Sequence, residues 1–452
     1  MAIAYVLHVF YTRAMDNFYH IRQPDYTSID FTELYTKYRE HRDEIRKYIE
    51  SINQPRYLPW EKARFKKPPA GFSPEEAWYL ARDTRRNTSQ PIWIKAQNDE
   101  LFSWNRLQYT DQYLNEFDLL MGGQFMSSNV RINPVEQQSF LTRGVIEEAI
   151  ASSQLEGANV TRKVAKEMLA ESRTPRNKSE WMIHNNYLMM TKITETYKDV
   201  PLSHELLLEM HRLVSTNTMD EEDIGRFRTD KDPIRVGSET QTTYIPPTED
   251  FMLEELDVLI GIANDSDPAH FMHPIIKAIL LHFWIGYLHP FVDGNGRIAR
   301  ALFYWLLLKK NYWLATYIPI STVIKRAPMQ YSDAYVYSEQ DGNDFTYFYD
   351  YHMQKIKQAL NEFLGYIDKQ RAENAEIDRI LETRGRLNER QKQIMHYLLS
   401  NQRHSVSVTT HSSLNRISLN TARTDLLELQ RLGLVFTLRQ GKYVHYYAKP
   451  RS

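Results

Sequence analysis

The stretch "LHPFVDGNGRIAR", residues 288–300, decides how the chain is read. It sets a histidine, a carboxylate, a Gly-Asn-Gly triplet and two arginines between the apolar runs "HPIIKAILLHFWIGYLH", residues 273–289, and "ALFYWLLL", residues 301–308. Two buried helices joined by a polar turn account for that pattern. Gly294, Asn295 and Gly296 tolerate φ > 0 and can turn successive N–H groups toward one point, a concave anion site. The helix that starts near Arg297 adds the positive end of its dipole. Arg297 and Arg300 are three apart and share a face of the first turn, where guanidinium forks hold phosphate bidentately. Asp293 is a hard oxygen ligand suited to Mg²⁺. His289 titrates near neutrality and can take a proton from an incoming hydroxyl.

Working outward, residues 142 to about 370 read as one helical pattern after another, which makes the fold class mainly α. The exception is "DPIRVGSETQTTYIPP", residues 232–247, which alternates, turns at Gly237 and ends in two prolines, as a hairpin does. Such a hairpin in a helical domain leaves an edge to which an extended segment can add through main-chain hydrogen bonds. Upstream, "SSQLEGANV", residues 152–160, places Ser152 and Glu156 one turn apart, with Gly157 favouring the end of that helix. His273, His282 and His289 lie 9 and 7 apart; a metal pair lacks a third ligand at suitable spacing, so satisfied buried histidines are the better reading.

The segment before residue 130 carries helical spacing in "FTELYTKYREHRDEIRKYIESI" and a capping box at Ser73 and Glu76, without a catalytic signature. The division follows: 1–130, a mostly helical extension; 131–370, the domain with the phosphate turn; 371–385, a helical linker; 386–452, a basic C-terminal domain.

Composition sets the outer limits. The chain has 452 residues, 25% of them charged, and a formal net charge of −1, so the total charge points to no polyanion. There is no cysteine, which excludes disulfides, thiolate metal sites and cysteine nucleophiles. The opening "MAIAYVLHVFY" lacks a basic n-region and a small-residue cleavage site, and the longest apolar runs are interrupted, so a cytoplasmic protein without a membrane span is expected.

The total hides an asymmetry. Residues 384–452 hold 12 Lys and Arg against 3 Asp and Glu, an excess of nine positive charges. There "RLNERQKQIMHYLLSN" is amphipathic, with Leu387, Ile394, Tyr397 and Leu398 on the apolar face. A second helix capped by Ser418 or Asn420 places Leu426, Leu427, Leu429 and Leu432 toward the core, and a hairpin turning at Gln440 and Gly441 follows. The arrangement resembles a winged helix-turn-helix, which would make Thr421, Arg423, Thr424, Arg439 and Lys442 contacts for duplex DNA. Winged helices also dock proteins and pair with themselves, so a homodimer is open.

The string "HPFVDGNGRIAR" resembles the signature of the Fic domain family (filamentation induced by cAMP), HxFx(D/E)GNGRxxR, at every specified position. The resemblance implies a helical Fic domain with a small β-hairpin flap, and protein adenylyltransfer (AMPylation), in which AMP passes from ATP to a Ser, Thr or Tyr hydroxyl of a target or of the protein itself. It would make His289 the base, Phe291 the anchor of the loop, Asp293 the Mg²⁺ ligand, Gly294, Asn295 and Gly296 the phosphate cradle, and Arg297 and Arg300 the contacts to the far phosphates. Ala299 stands where many members have Gly. Ser152, Glu156 and Gly157 resemble the family's inhibitory motif [S/T]xxxE[G/N], which implies that Glu156 pairs with Arg300 and restrains the enzyme. Arg235, Val236, Gly237, Thr243 and Tyr244 would form the target-docking flap. The alternative is a DNA-binding regulator whose Fic domain senses nucleotide or removes AMP.

Overall fold

The computed structural model describes residues 18–122, 134–171, 173–238, 240–266, 271–382, 387–400, 404–415, 417–440 and 443–449. By internal contacts the chain forms two compact units, Met1–Leu360 and Asn361–Ser452. The fold is mainly helical, with three separate two-stranded antiparallel sheets among the described residues.

The first unit opens with α1 (Phe31–Glu40), α2 (Arg42–Asn53), α3 (Trp60–Ala63) and α4 (Pro74–Thr88). They share a small core that includes Leu34, Ile45, Ile52, Trp60 and Trp78. The expected capping box starts α4: Ser73 Oγ accepts from the Glu76 N–H at 3.1 Å, and the Glu76 carboxylate accepts from the Ser73 N–H at 2.8 Å. A hairpin of β1 (Gln90–Lys95) and β2 (Leu101–Trp104) follows, which the helical reading of this segment missed. Its signals are the alternation of Ile92 and Ile94 and a left-handed Asp99 in the connection.

Next come α5 (Gln108–Met121), α6 (Pro134–Leu155), α7 (Arg162–Ala170), α8 (Lys178–Glu195) and α9 (His204–Ser215). Asn177 and Ser203 cap α8 and α9 by accepting the N–H groups of Glu180 and Leu206. The expected hairpin is present as β3 (Val236–Gly237) and β4 (Thr242–Tyr244). Its turn falls after Gly237, which is itself paired with Thr242 at φ +150. A Cβ there would lie 2.2 Å from the Gln241 carbonyl oxygen, so the glycine serves a close backbone approach. The outer side of β4 is taken by the chain itself: Phe18 forms a parallel bridge with Thr242, and the Tyr19 N–H donates to the Thr242 carbonyl at 2.8 Å.

α10 (Glu249–Ala263), α11 (Pro274–Leu288) and α12 (Asn295–Lys309) complete the site's frame. Nearly every residue of α11 and α12 is buried, as expected of helices apolar on all sides, and the two pack along each other. α6, α8 and α9 surround α12. α6 is held close: a Cβ on Gly144 would meet the Thr316 carbonyl oxygen at 2.2 Å, and the buried Glu148 accepts from Tyr304 Oη at 2.8 Å and from Ser321. α13 (Ile320–Ile324), α14 (Pro328–Gln340) and α15 (Thr346–Glu382), whose residues after Leu360 fall in the second unit, end the helical series. Among the described residues no helix is long and apolar enough to cross a membrane.

The second unit holds α16 (Glu389–Ser400), α17 (Val408–Asn415), α18 (Leu419–Arg431) and a hairpin of β5 (Val435–Gln440) and β6 (Tyr443–Ala448), to which Val406 adds a bridge at Tyr446. Its core joins Ile394, Met395, Leu398, Leu426, Leu429 and Val435. Two expected core residues are not in it. Tyr397 is 46% exposed and Leu427 50% exposed. Each lies about 100° around its helix from a neighbour that is buried, so the apolar stripe is narrower than the run of apolar letters. Ser418, not Asn420, is the cap, accepting from the Thr421 N–H at 3.1 Å.

Candidate functional site

α11 ends at His289, which takes the left-handed conformation (φ 49, ψ 56) while its N–H still donates to the Ile285 carbonyl. Glycine or asparagine is usual at such a cap; a histidine there is held by its surroundings. Arg228 supplies part of that hold. It is 3% exposed, and its guanidinium donates to the carbonyls of His289 (2.7 Å), Pro247 (2.6 Å) and Leu288 (3.1 Å). Its own N–H donates to the Pro290 carbonyl at 2.9 Å.

The His289 ring is fixed at Nδ1, which lies 3.1 Å from the Gly286 carbonyl oxygen. A carbonyl only accepts, so Nδ1 carries the proton and Nε2 keeps its lone pair. Burial holds the imidazole below the ordinary histidine range, partly countered by the Gly286 carbonyl and the carboxylates of Glu156 and Asp293. Phe291 is fully buried, and Asn295 closes the loop on it: Oδ1 accepts from the Phe291 N–H at 2.9 Å and Nδ2 donates to its carbonyl at 2.8 Å. Gly294 then caps α12 at φ 89. Its N–H donates to Asp293 Oδ1 at 2.6 Å, so the loop carboxylate already engages the first amide of the cradle.

The two arginines reach different helices. Arg300 Nε donates to Ser152 Oγ at 2.7 Å, and Nη2 donates to the Ser152 carbonyl at 3.0 Å and to Glu156 Oε1 at 2.7 Å. Burial opposes its charge, but the Glu156 carboxylate overrides this and raises its pKa. Glu156 follows the last turn of α6, and Gly157 turns the chain at φ +90. A Cβ on Gly296 would lie 2.2 Å from Glu156 Oε1, so the carboxylate rests directly on the N-terminal turn of α12, where an anion is stabilised.

Arg297 is fully buried and turned the other way. Nη1 donates to the Val214 carbonyl at 2.6 Å, and Nη2 is 3.7 Å from Asp293 Oδ2. Its Nε and Nη2 make no hydrogen bond among the described residues. Burial lowers its pKa.

One residue that sequence reasoning passed over is His211 on α9. Its ring lies flat on Phe291, 4.0 Å between centroids and 3° between planes. Nε2 is 3.0 Å from the Asp293 carbonyl oxygen, and Nδ1 accepts from the Gly225 N–H at 3.0 Å. Burial pushes its pKa down to about 4. The other histidines are engaged elsewhere: His282 Nε2 is 2.7 Å from Tyr331 Oη, and His273 is 3.1 Å from Asp118 Oδ2. Among the described residues no group of three or more His, Cys, Asp or Glu could by itself hold a metal.

In the hairpin Arg235 and Gly237 are exposed, Val236 and Thr243 half-buried, and Tyr244 buried with its hydroxyl 3.1 Å from Gln97 Nε2. In the second unit Thr421 is half-buried, while Arg423, Thr424 and Arg439 are exposed; Lys442 and Gly441 lie outside the described residues.

Residues 201–307 match the model of the Fic/DOC family. The chain is similar to protein adenylyltransferase fic-1 of Caenorhabditis briggsae, 32% identical over 111 residues, which are 25% of this chain and 20% of that protein. It is similar also to protein adenylyltransferase Fic of Drosophila willistoni, 31% identical over 134 residues, 29% of this chain and 23% of that protein. The chain thus spans about a fifth of the length of these curated relatives. A solved structure of a Fic family protein from Desulfovibrio desulfuricans G20 is 16% identical and covers 76% of this chain and 96% of its own, at a TM-score of 0.47.

Proposed function

From a chain that carries a Fic/DOC-family domain at residues 201–307, we propose a self-restrained protein adenylyltransferase that moves AMP from ATP to a side-chain hydroxyl. The observation that carries this reading is His289, whose Nδ1 is committed to the Gly286 carbonyl while Nε2 keeps its lone pair, five residues before Gly294 caps α12. Nε2 takes the proton of a Ser, Thr or Tyr hydroxyl as its oxygen forms a bond to the α-phosphorus of ATP. The bond from that phosphorus to the bridging oxygen breaks, and pyrophosphate leaves with the electron pair. The first amides of α12 and the positive end of its dipole favour the phosphates.

Asp293 fits Mg²⁺, since its carboxylate is about half exposed and Mg²⁺ takes one or two carboxylates together with phosphate oxygens and water. A bound Mg²⁺ would supply charge neutralisation on the phosphates. Arg300 would hold the far end of the triphosphate once freed from Glu156, and the unpaired N–H groups of the buried Arg297 supply positive charge behind the turn. The exposed Gly237 of β3 and Arg235 just before that strand would meet the target.

The test is His289→Ala with labelled ATP and Mg²⁺. Transfer to protein is expected to vanish while ATP binding persists; undiminished labelling would reject the assignment.

A second activity is favoured by the excess positive charge of residues 384–452 and by the exposed Arg423, Thr424 and Arg439. It is binding of duplex DNA through phosphate contacts. The full chain should hold a labelled duplex at low salt and release it as salt rises; no binding at low salt would remove this reading and leave a protein-docking domain.

A further inference from the structure

We infer that His211 is a positioning residue for adenylyl transfer, holding the turn at Asp293–Gly294 through a neutral ring with its proton on Nε2. This rests on the reading of the turn as the phosphate site. The ring is fully buried and its polar contacts fix one tautomer. The Gly225 N–H can only donate, so Nδ1 accepts; the Asp293 carbonyl can only accept, so Nε2 donates. The imidazole therefore ties the segment before Arg228 to the residue that opens the Gly294–Gly296 turn.

The stacking adds a second constraint. Phe291 stacks on both His211 (4.0 Å) and Phe227 (5.5 Å), so the ring that anchors the loop is held by two aromatic neighbours. Arg228, three residues after Gly225, grips the carbonyls of Leu288 and His289. The base and the phosphate turn are thereby referenced to one short segment, one through Arg228 and the other through His211. A shift of the Asp293 carbonyl would change the distance between His289 and the cradle, which affects the in-line geometry of transfer more than the binding of nucleotide.

The experiment compares His211→Phe, which keeps the flat ring and loses both hydrogen bonds, with His211→Gln, whose amide N–H reaches the place of Nε2. Both are made in the full chain with Glu156→Gly, and auto-modification by labelled ATP and Mg²⁺ is the assay. His211→Phe is expected to lower kcat by about tenfold or more, the effect of leaving a buried carbonyl and N–H unpaired. KM for ATP should stay within about threefold, as for an interaction used in the transition state. His211→Gln should recover most of the rate. Amide exchange at residues 293–297 should quicken in the Phe variant and not in the Gln variant, and ¹⁵N shifts of the wild-type ring should show the Nε2–H tautomer.

An unchanged kcat in His211→Phe overturns the inference, as does an equal loss in both variants together with a fall in Tm, which marks a merely structural role. If the Glu156→Gly parent labels nothing, adenylyl transfer fails as the function. The exchange and ring-tautomer measurements then still decide whether His211 holds the turn.

Discussion

Glu156 Oε1 lies 2.7 Å from Arg300 Nη2 and 2.2 Å from where a Gly296 Cβ would be, so one carboxylate both pairs the arginine and covers the start of α12. An anionic side chain therefore sits where phosphate oxygens would gain most from the helix dipole. Removing it takes away the charged partner of Arg300 and leaves that guanidinium its hydrogen bonds to Ser152 on α6. Glu156→Gly is expected to raise the rate of auto-modification by about tenfold or more, since a charge-assisted hydrogen bond is worth roughly 1.5–3 kcal/mol. Equal labelling by both forms, measured with labelled ATP, would show that the pair does not restrain transfer.

Gly296→Ala separates the two roles of that carboxylate. The new Cβ would meet Glu156 Oε1 at 2.2 Å and Arg300 Nη1 at 3.1 Å, both ends of flexible side chains, so the fold can yield by moving them. The ion pair is then strained, where Glu156→Gly removes it, but the methyl group takes the space a phosphate would need. Gly296→Ala should fold with a Tm close to wild type and show no gain in labelling, and the double variant with Glu156→Gly should stay inactive. A gain in labelling by Gly296→Ala would mean that phosphate does not approach this turn.

The two-helix frame of the site was legible because its signals are local, two apolar runs with a polar glycine-bearing turn between them, although α12 starts at Asn295 and not near Arg297, with Gly294 alone of the Gly-Asn-Gly triplet at positive φ. The pairing of Glu156 with Arg300 was legible only through a resemblance, since 144 residues separate them. His211 was not legible at all. A histidine on the apolar face of α9 reads as core, and its contact to Asp293 spans 82 residues. The direction of Arg297 was missed for a related reason. Helical spacing places Arg297 and Arg300 near one face, but a long side chain follows the carbonyl that needs a donor, here Val214 on α9. The bridge from Phe18 to Thr242 depends on backbone atoms and leaves no side-chain pattern to find.

The pH dependence of transfer follows from the burial of His289. Its imidazole is held below the ordinary value, near 6.5 for an unperturbed histidine, so the neutral form that can accept a proton predominates at neutrality. The acid limb of kcat/KM should therefore fall below about pH 6.5, with a flat profile from there toward pH 8. Glu156 raises this pKa, so Glu156→Gly should carry the limb to still lower pH. A limb above that of a free histidine in either form would show that another group controls the rate.

Asp232 offers a stability test on the segment that holds the loop. Its carboxylate accepts from Arg226 Nη1 at 2.8 Å, from Arg226 Nη2 at 3.0 Å and from the Thr229 N–H at 2.7 Å. The Arg226 hydrogen bonds, against the cost of burial, hold its pKa well below the usual carboxylate range. A depressed acid contributes stability that is present above its unfolded pKa of about 3.9 and lost as pH falls through the folded value. Asp232→Asn should therefore lower Tm by the same amount at pH 7 and pH 5, and by less at about pH 3. Arg228 leaves this same turn to hold the His289 carbonyl, so the variant should also quicken amide exchange at residues 288–291 at neutral pH. A Tm difference that stays constant down to about pH 3 would show that Asp232 is not titrating between the folded and unfolded chains.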